Sequence, residues 1–239
     1  VEVAVLTTNE EGKTEEVTLP TGEYTVTEAE SPFGYQLSPN AENVTVTLNQ
    51  ANVVTVKDEP ETGSLDIHKK LDPEEKDAIK QNRDLTLIRF SLTYKDRPEI
   101  VIDDIQPDKN GDVHVDGLYY GTWILEETVA PIYHQPMDPV EIEISSDDTD
   151  SVDYEVENYR YESQLTVLKK DVDTGTTVLR AGATFKIKDE VGEYVSLLIA
   201  GSTEKTDTFV TNEAGRISFD EKIPAGKYTL EETIPPKGY

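Results

Sequence analysis

The pattern of apolar and polar positions along this chain is that of short β-strands. Runs rich in Val, Ile, Thr and Tyr have apolar residues at alternate positions and are separated by Gly, Pro, Asn and Asp. No segment has the period of about 3.6 residues that marks a long amphipathic helix, and only residues 73–82 could form a turn or two of helix within a loop. The pattern therefore predicts an all-β protein.

One strand pattern occurs three times in the chain. Each copy has a glycine followed, at every second position, by an aromatic residue, an aliphatic residue and a glutamate. Because side chains alternate between the two faces of a strand, these positions share one face, and the aromatic and aliphatic residues mark that face as apolar. A carboxylate among apolar side chains is costly unless it is neutralised or paired. Three glutamates in this position therefore need a chemical explanation: Glu28, Glu127 and Glu232.

The repeated pattern also divides the chain. Its copies lie about 100 residues apart, which is the length of a domain rather than of a solenoid repeat. A hairpin turn signal precedes each copy, and a segment that contains proline follows it. We therefore predict tandem domains arranged as beads on a string: the C-terminal part of one domain at residues 1–60, a complete domain at 61–160, and the N-terminal part of a third at 161–239.

Composition narrows the range of functions. The chain has 22 Lys and Arg residues against 49 Asp and Glu residues, and its net charge of −27 argues against binding to nucleic acid or to anionic lipid. Such a charge favours a soluble, exposed rod. The longest apolar runs are far shorter than the roughly 20 residues of a membrane span. The chain has no cysteine, which excludes disulfides, zinc–thiolate sites and a cysteine nucleophile.

Other strands direct reactive side chains to the same interior. Alternation puts Lys69 and Lys169 on the apolar faces of the opening strands of the second and third domains. On the closing strands, Asn158 of the second domain and Asp58 of the first lie on the inner face. The complete domain therefore encloses an amine, a carboxyl group and a carboxamide: Lys69, Glu127 and Asn158. The other two sites are incomplete, with Glu28 and Asp58 in the first domain and Lys169 and Glu232 in the last.

The three groups of the complete domain can react with one another. Burial lowers the pKa of a lysine and raises that of a glutamic acid, so the pair can hold one proton with the amine neutral. A neutral Lys69 can attack the carboxamide of Asn158 while Glu127, in its acid form, polarises the oxygen and transfers protons. Ammonia would leave and an isopeptide bond would remain; with Asp58 as the acceptor, water would leave instead. The alternative is a hydrogen-bonded cluster without a covalent bond.

These motifs resemble those of the CnaB-type domains of Gram-positive surface proteins, also called SpaA-like or prealbumin-like domains. The shared features are a first-strand lysine, a Tyr-x-aliphatic-x-Glu box followed by Pro and Gly-Tyr, and a last-strand Asn or Asp. The resemblance covers nearly the whole chain and implies tandem, seven-stranded, immunoglobulin-like β-sandwich domains with self-made Lys–Asn or Lys–Asp bonds. The middle box departs from the pattern, since Trp123 replaces the tyrosine and residues 132–134 read Ile-Tyr-His.

The resemblance implies a structural role, as a stalk or pilus-shaft module of an extracellular adhesin anchored to a Gram-positive cell wall. The expected partners are neighbouring domains of the same surface protein, other pilins or host matrix, with neither nucleic acid nor membrane insertion. No enzymatic activity is expected beyond the single-turnover formation of the internal bond. The alternative is a module that itself binds host matrix protein or glycan through exposed aromatic residues: Tyr119, Tyr120, Tyr133 and His134.

No metal or cofactor site is predicted from the sequence. The three histidines, His68, His114 and His134, occur in different elements, and His68 falls on the outward face of its strand. The acidic run 145–153 offers the oxygen ligands that calcium prefers. It lacks a recognised ligand spacing, so a solvated loop is the favoured interpretation and calcium the alternative.

Overall fold

The computed structural model describes residues 1–48, 50–145 and 151–239 of the chain. These residues are built almost entirely of strands, with one short helix, α1 (Asp77–Lys80), and one 3₁₀ turn, Leu85–Leu87. The all-β prediction is therefore confirmed. The chain separates into two compact units, Val1–Thr62 and Gly63–Tyr239. None of the helices in the described part of the chain has the length and apolar character needed to cross a membrane.

The first unit contains one antiparallel hairpin. Its strands are β1 (Gly22–Thr27) and β2 (Ala41–Val46), paired so that Tyr24 lies opposite Val44. The chain after β2 is assigned to no strand between residues 51 and 59, yet burial alternates there. The partly buried positions in that stretch are those with the predicted inward parity: Val54, Val56 and Asp58.

The first part of the second unit is a seven-stranded sandwich. One sheet has the order β6–β3–β9 and the other has the order β5–β4–β7–β8. The strands in chain order are β3 (Thr62–Lys70), β4 (Arg89–Tyr94), β5 (Val101–Ile105), β6 (Asp112–Tyr119), β7 (Gly121–Val129), β8 (Val140–Ile144) and β9 (Val152–Glu157). Strands β3 and β9, the first and the last, are parallel neighbours. The inner faces of the two sheets enclose one hydrophobic core, which includes Leu65, Phe90, Trp123 and Leu125.

The second part of the second unit encloses a separate hydrophobic core around Phe209, Phe185 and Ile217. Its central strand is flanked by two others in the order β15–β12–β18, and shorter pairs surround this sheet. The strands are β10 (Glu162–Ser163), β11 (Thr166–Leu168), β12 (Thr184–Lys188), β13 (Leu197–Leu198), β14 (Lys205–Thr206), β15 (Phe209–Val210), β16 (Arg216–Ser218), β17 (Ile223–Pro224) and β18 (Thr229–Ile234). Every residue of β18 is exposed.

The aromatic residue of the repeated box has the same role in all three copies. Its side chain donates a hydrogen bond to the backbone carbonyl four residues before it, which closes the turn that leads into the strand. The pairs are Tyr24 Oη to Pro20 O at 2.9 Å, Trp123 Nε1 to Tyr119 O at 2.9 Å, and Tyr228 Oη to Pro224 O at 2.8 Å. The indole N–H therefore replaces the phenol O–H in the middle copy. The substitution preserves the turn because both groups combine an apolar ring with one donor.

The glycine of the hairpin turn before the middle box packs against β3, the strand that carries Lys69. Gly111 has a φ of +95°, and its carbonyl accepts from the Lys69 N–H at 2.8 Å. A Cβ at this position would lie 2.5 Å from the Lys69 carbonyl oxygen and 3.2 Å from its Cβ. The turn therefore requires glycine for its backbone conformation and also for the close approach to Lys69.

We predict that Gly111→Ala destabilises the protein by about 2–4 kcal/mol, because backbone strain and a steric clash act together. Urea unfolding of purified protein measures this loss. The matched control is Gly117→Ala, since Gly117 also has a positive φ, of +73°, but a Cβ there meets nothing within 4 Å. We expect the control to cost only about 1 kcal/mol, and equal losses in the two variants would contradict the packing explanation.

Candidate functional site

Three predicted side chains meet in the interior of the seven-stranded sandwich. Lys69 lies near the end of β3, Glu127 lies on β7, and Asn158 directly follows β9. Their exposed fractions are 3%, 4% and 1%, respectively. The parallel register pairs Lys69 with Val156, two residues before Asn158. The burial follows from alternation along β7, where Leu125 and Glu127 face the core while Glu126 is exposed.

The carboxamide of Asn158 is held by a carboxyl group and a backbone carbonyl. Its Nδ2 donates to Glu127 Oε2 at 2.7 Å and to the Gln135 carbonyl at 2.8 Å. The Met137 N–H also donates to Glu127 Oε2, at 3.0 Å. The other two oxygens, Glu127 Oε1 and Asn158 Oδ1, are buried and have no hydrogen-bond partner among the described residues. The carboxyl group therefore holds the amide nitrogen and leaves the amide oxygen unsatisfied, so the expected contact of Glu127 with the Asn158 oxygen is not found.

The amine of Lys69 lies in the same dry environment. Nζ donates to the backbone carbonyls of Lys70 and Val156, the latter at 3.3 Å. Burial lowers the pKa of Lys69 to about 8, against the smaller opposing effects of the charges on Glu127 and Glu157. About a tenth of the amine is therefore neutral at pH 7, far more than for an exposed lysine.

The pKa of the Glu127 carboxyl group shifts in the opposite direction. Burial raises its pKa, although the hydrogen bonds from Asn158 and Met137 and the charge of Lys69 partly oppose the shift. A raised carboxyl pKa and a lowered amine pKa bring the two groups closer to sharing one proton. The arrangement could therefore supply a nucleophilic amine, an acid and an acyl donor in one core.

The remaining predicted residues form two pairs rather than complete sets. Lys169, which follows β11, lies 2.7 Å from Glu232 of β18 through Nζ and Oε2. Their side chains are 20% and 29% exposed, so this pair is less buried than the middle site. In the first unit, Glu28 Oε2 accepts from the Ser38 N–H at 2.8 Å. Burial, together with the nearby Glu28, raises the pKa of Asp58.

Backbone groups that contact the reactive side chains could not be identified from the sequence. In both Glu28 and Glu127, Oε2 accepts from the N–H of the residue ten positions later, at 2.8 Å and 3.0 Å. The signal that was available is the shared proline-containing segment after each box, which turns the chain back toward the glutamate. A backbone N–H carries no residue type, so the sequence pattern alone did not reveal its role.

The aromatic residues proposed as an exposed binding patch are not exposed as a group, so that expectation is wrong. Tyr119 and Tyr120 are partly buried and pack against the sandwich core. Tyr133 is partly buried beneath the guanidinium of Arg83, and His134 is buried. These side chains serve packing because alternation and the turn after β7 direct them inward.

Metal binding receives no support from the described residues. Residues 146–150, most of the acidic run considered for calcium, lie outside them. In the described ranges, no group of three or more His, Asp or Glu side chains is arranged to hold a metal ion. His68 and His114 instead lie on the outer face of the β6–β3–β9 sheet, each between two aspartates. These hydrogen bonds raise the pKa of both histidines.

Comparison with known proteins gives this fold and site a family. The model of the SpaA family, described as a prealbumin-like fold domain, matches residues 1–60, 73–160 and 163–239. The chain therefore belongs to this family of prealbumin-like domains. Comparison with curated proteins gives no match.

Several solved structures are similar to this chain. The Bacillus anthracis TIE protein is 27% identical over 96% of the chain, with a TM-score of 0.51, and the chain spans 39% of that protein. A streptococcal ancillary pilin is 19% identical over 98% of this chain and 72% of its own, with a TM-score of 0.33. BcpA, the major pilin subunit of Bacillus cereus, is 16% identical over 74% of this chain and 89% of its own, with a TM-score of 0.32.

Proposed function

We propose that this chain is a structural segment of a stalk or pilus shaft on a Gram-positive cell surface, stabilised by an isopeptide bond between Lys69 and Asn158. The observation that carries the proposal is the meeting of three buried groups, Lys69, Glu127 and Asn158, in one sandwich core. A structural domain has no evident need for these three groups unless they react or pair. Membership of the prealbumin-like family supports the same role.

The proposed reaction needs no co-reactant. The neutral Lys69 amine attacks Cγ of Asn158, a new C–N bond forms, and the bond from Cγ to Nδ2 breaks. Glu127 accepts a proton from the attacking amine and gives one to Nδ2, which it contacts at 2.7 Å. Ammonia leaves, and the number of protons is unchanged. Fixed placement in a water-excluded core makes this normally slow reaction feasible.

The position of the proposed bond suits a load-bearing function. Strands β3 and β9 are parallel neighbours, and Lys69 and Asn158 lie near their C-terminal ends. Tension that enters through β3 would pass across the bond to Asn158 and leave the strands between them unloaded. The proposed module would therefore resist extension and proteolysis.

The same proposal accounts for the rest of the chain as parts of tandem modules. We propose boundaries at residues 1–60, 61–160 and 161–239, and the three matched segments of the family model support them. The Glu28–Asp58 and Lys169–Glu232 pairs are then two incomplete copies of the middle site. The expected partners are neighbouring modules and other pilin subunits outside the cell, and the net charge of −27 is consistent with an exposed, soluble rod.

The mass of the denatured protein tests the proposal. We expect the purified chain to be lighter than its sequence mass by one ammonia, and a protease digest to contain a branched peptide that joins Lys69 to Asn158. Lys69→Ala should restore the full mass. The matched control is Lys70→Ala, because Lys70 is the next residue but pairs with Glu155 on the exposed face. A parent chain at full sequence mass would refute the bond.

A further inference from the structure

The segment after β7 directly orients both acyl-transfer partners of the middle site. We call residues 131–137 the strap. The Gln135 carbonyl accepts from Asn158 Nδ2, and the Met137 N–H donates to Glu127 Oε2. A shift of the strap would therefore move the carboxamide and the carboxyl group relative to the amine.

A buried histidine of the strap packs on the side facing the loop between β3 and β4. Nδ1 of His134 contacts the Ile132 carbonyl at 2.9 Å, and Nε2 lies 3.6 Å from Oε2 of Glu75. Both side chains are fully buried, and neither Nε2 nor this Oε2 has a hydrogen-bond partner among the described residues. The two buried atoms face each other across this gap, so the strap packs against the loop between β3 and β4, which carries Glu75.

Glu75 is held in turn by a guanidinium that also contacts the turn after β12. Arg83 Nη2 donates to Glu75 Oε1 at 2.7 Å. The same guanidinium forms two bonds to Glu190, of 3.1 Å and 2.7 Å, in the turn that follows β12. The Arg83 side chain is 6% exposed, and such bidentate charge-assisted pairs fix geometry closely. The carboxylate that faces His134 is therefore not free to rotate away.

The middle strap also differs from its counterparts in sequence and strain. The corresponding positions elsewhere are Gly34 and Gly238, with φ of +79° and +97°, whereas Tyr133 adopts a φ of +71°. A non-glycine residue there is strained, and the surrounding contacts must stabilise it. Tyr133 lies under Arg83 with its ring centroid 5.4 Å from the guanidinium carbon. The Tyr-His pair thus replaces Gly-Tyr only in the strap that is anchored to Glu75 and Arg83.

We propose that Glu75 and His134 are positioning residues for the Lys69–Asn158 crosslink, acting through the strap on Glu127 and Asn158. This inference rests on the proposed function. Neither residue is assigned contact with the reacting atoms, so their effect is on orientation rather than on bond making. Arg83 and Glu190 extend this anchor to the turn after β12.

The rate of ammonia loss tests this role in the full chain. Unreacted chain is purified in the unfolded state and diluted into refolding buffer. Samples are quenched with acid at intervals, and the mass of the chain is measured in each. We expect Glu75→Ala and His134→Ala to slow the reaction about tenfold or more, because small misplacements of reacting groups are costly. Glu75→Gln should retain most of the rate, since an amide can still contact both Arg83 and His134. Glu74→Ala, an exposed neighbour in the same loop, should react at the parent rate.

A parent rate in either Ala variant would overturn the inference, and so would equal slowing in Glu75→Gln and Glu75→Ala. A second measurement, which does not depend on the reaction, tests the inference if a variant folds poorly or if the parent does not react. In a Lys69→Met background, which cannot react, we expect two distinct and slowly exchanging Asn158 side-chain amide signals in NMR spectra. Glu75→Gln should preserve these signals and Glu75→Ala should shift them. If the parent keeps its full sequence mass, the proposed function fails. The Asn158 amide signals then decide the positioning role by themselves. A spectrum that Glu75→Ala leaves unchanged would overturn that role.

Discussion

Replacing Asn158 by alanine is expected to lower the melting temperature of the seven-stranded sandwich by an amount on the order of 20 °C. The proposed bond closes a loop from residue 69 to residue 158. A crosslink over a loop of this length lowers the conformational entropy of the unfolded state and thereby stabilises the fold by about 4–5 kcal/mol. For a domain of this size, each kcal/mol corresponds to roughly 4–8 °C. Differential scanning calorimetry of the parent and variant measures the shift.

The pH dependence of stability separates loss of the bond from loss of packing. In Asn158→Ala the Lys69 amine remains titratable, with a pKa of about 8 in the fold against 10.5 as its ordinary value. The unfolded chain then binds more protons between these two values, so stability rises with pH across that window and the buried amine costs about 3 kcal/mol below it. Lys69→Met also lacks the bond but has no amine, so we expect no such rise. An equal melting temperature in parent and Asn158→Ala would contradict the crosslink.

The second large effect is expected for Glu127→Ala, which should slow ammonia loss by roughly 10²–10⁴-fold, the usual contribution of a general acid–base group. Refolding followed by acid quench and mass measurement gives the rate. Glu126→Gln is the matched control, because Glu126 is exposed on the opposite face of the same strand and should leave the rate unchanged.

The pH profile of the parent rate should be bell-shaped. Below the raised pKa of Glu127 the amine is fully protonated, and above the Lys69 pKa of about 8 the carboxyl group has lost the proton that it must transfer. Between the two values the pair holds one proton, and the reactive form with neutral amine and neutral acid has a constant population. A rate that keeps rising well above pH 8 would show that Glu127 does not act as an acid.

Much of the site could be predicted because alternation along strands is a local property. The apolar neighbours of Lys69, Glu127 and Asn158 lie at alternate positions, and this spacing alone directs each side chain inward. The repeated box did not predict the hydrogen bond that its aromatic residue makes to the preceding turn, either from the two tyrosines or from Trp123.

The contacts that orient the site could not be predicted in the same way. Glu75 lies in a loop that has no repeating sequence pattern. In the sequence, His134 was recognisable only as a departure from the Gly-Tyr that follows the other two boxes. Their proximity depends on how the loop after β3 and the strap after β7 fold against one another. Arg83 and Glu190 are separated by a long stretch of sequence and meet only because two cores lie side by side.

The sequence by itself determined the strand content, the family and the inward faces of Lys69, Glu127 and Asn158, because each follows from residue type and spacing along a single strand; for Glu232 the same reasoning failed, since every residue of β18 is exposed. The tertiary structure decided which backbone groups hold Glu127 and Asn158, how far the Lys69 amine is excluded from solvent, and which charged side chains anchor the strap. Burial and long-range contacts set these properties, and both depend on residues that are distant in the chain and become neighbours only when the sheets close over one another.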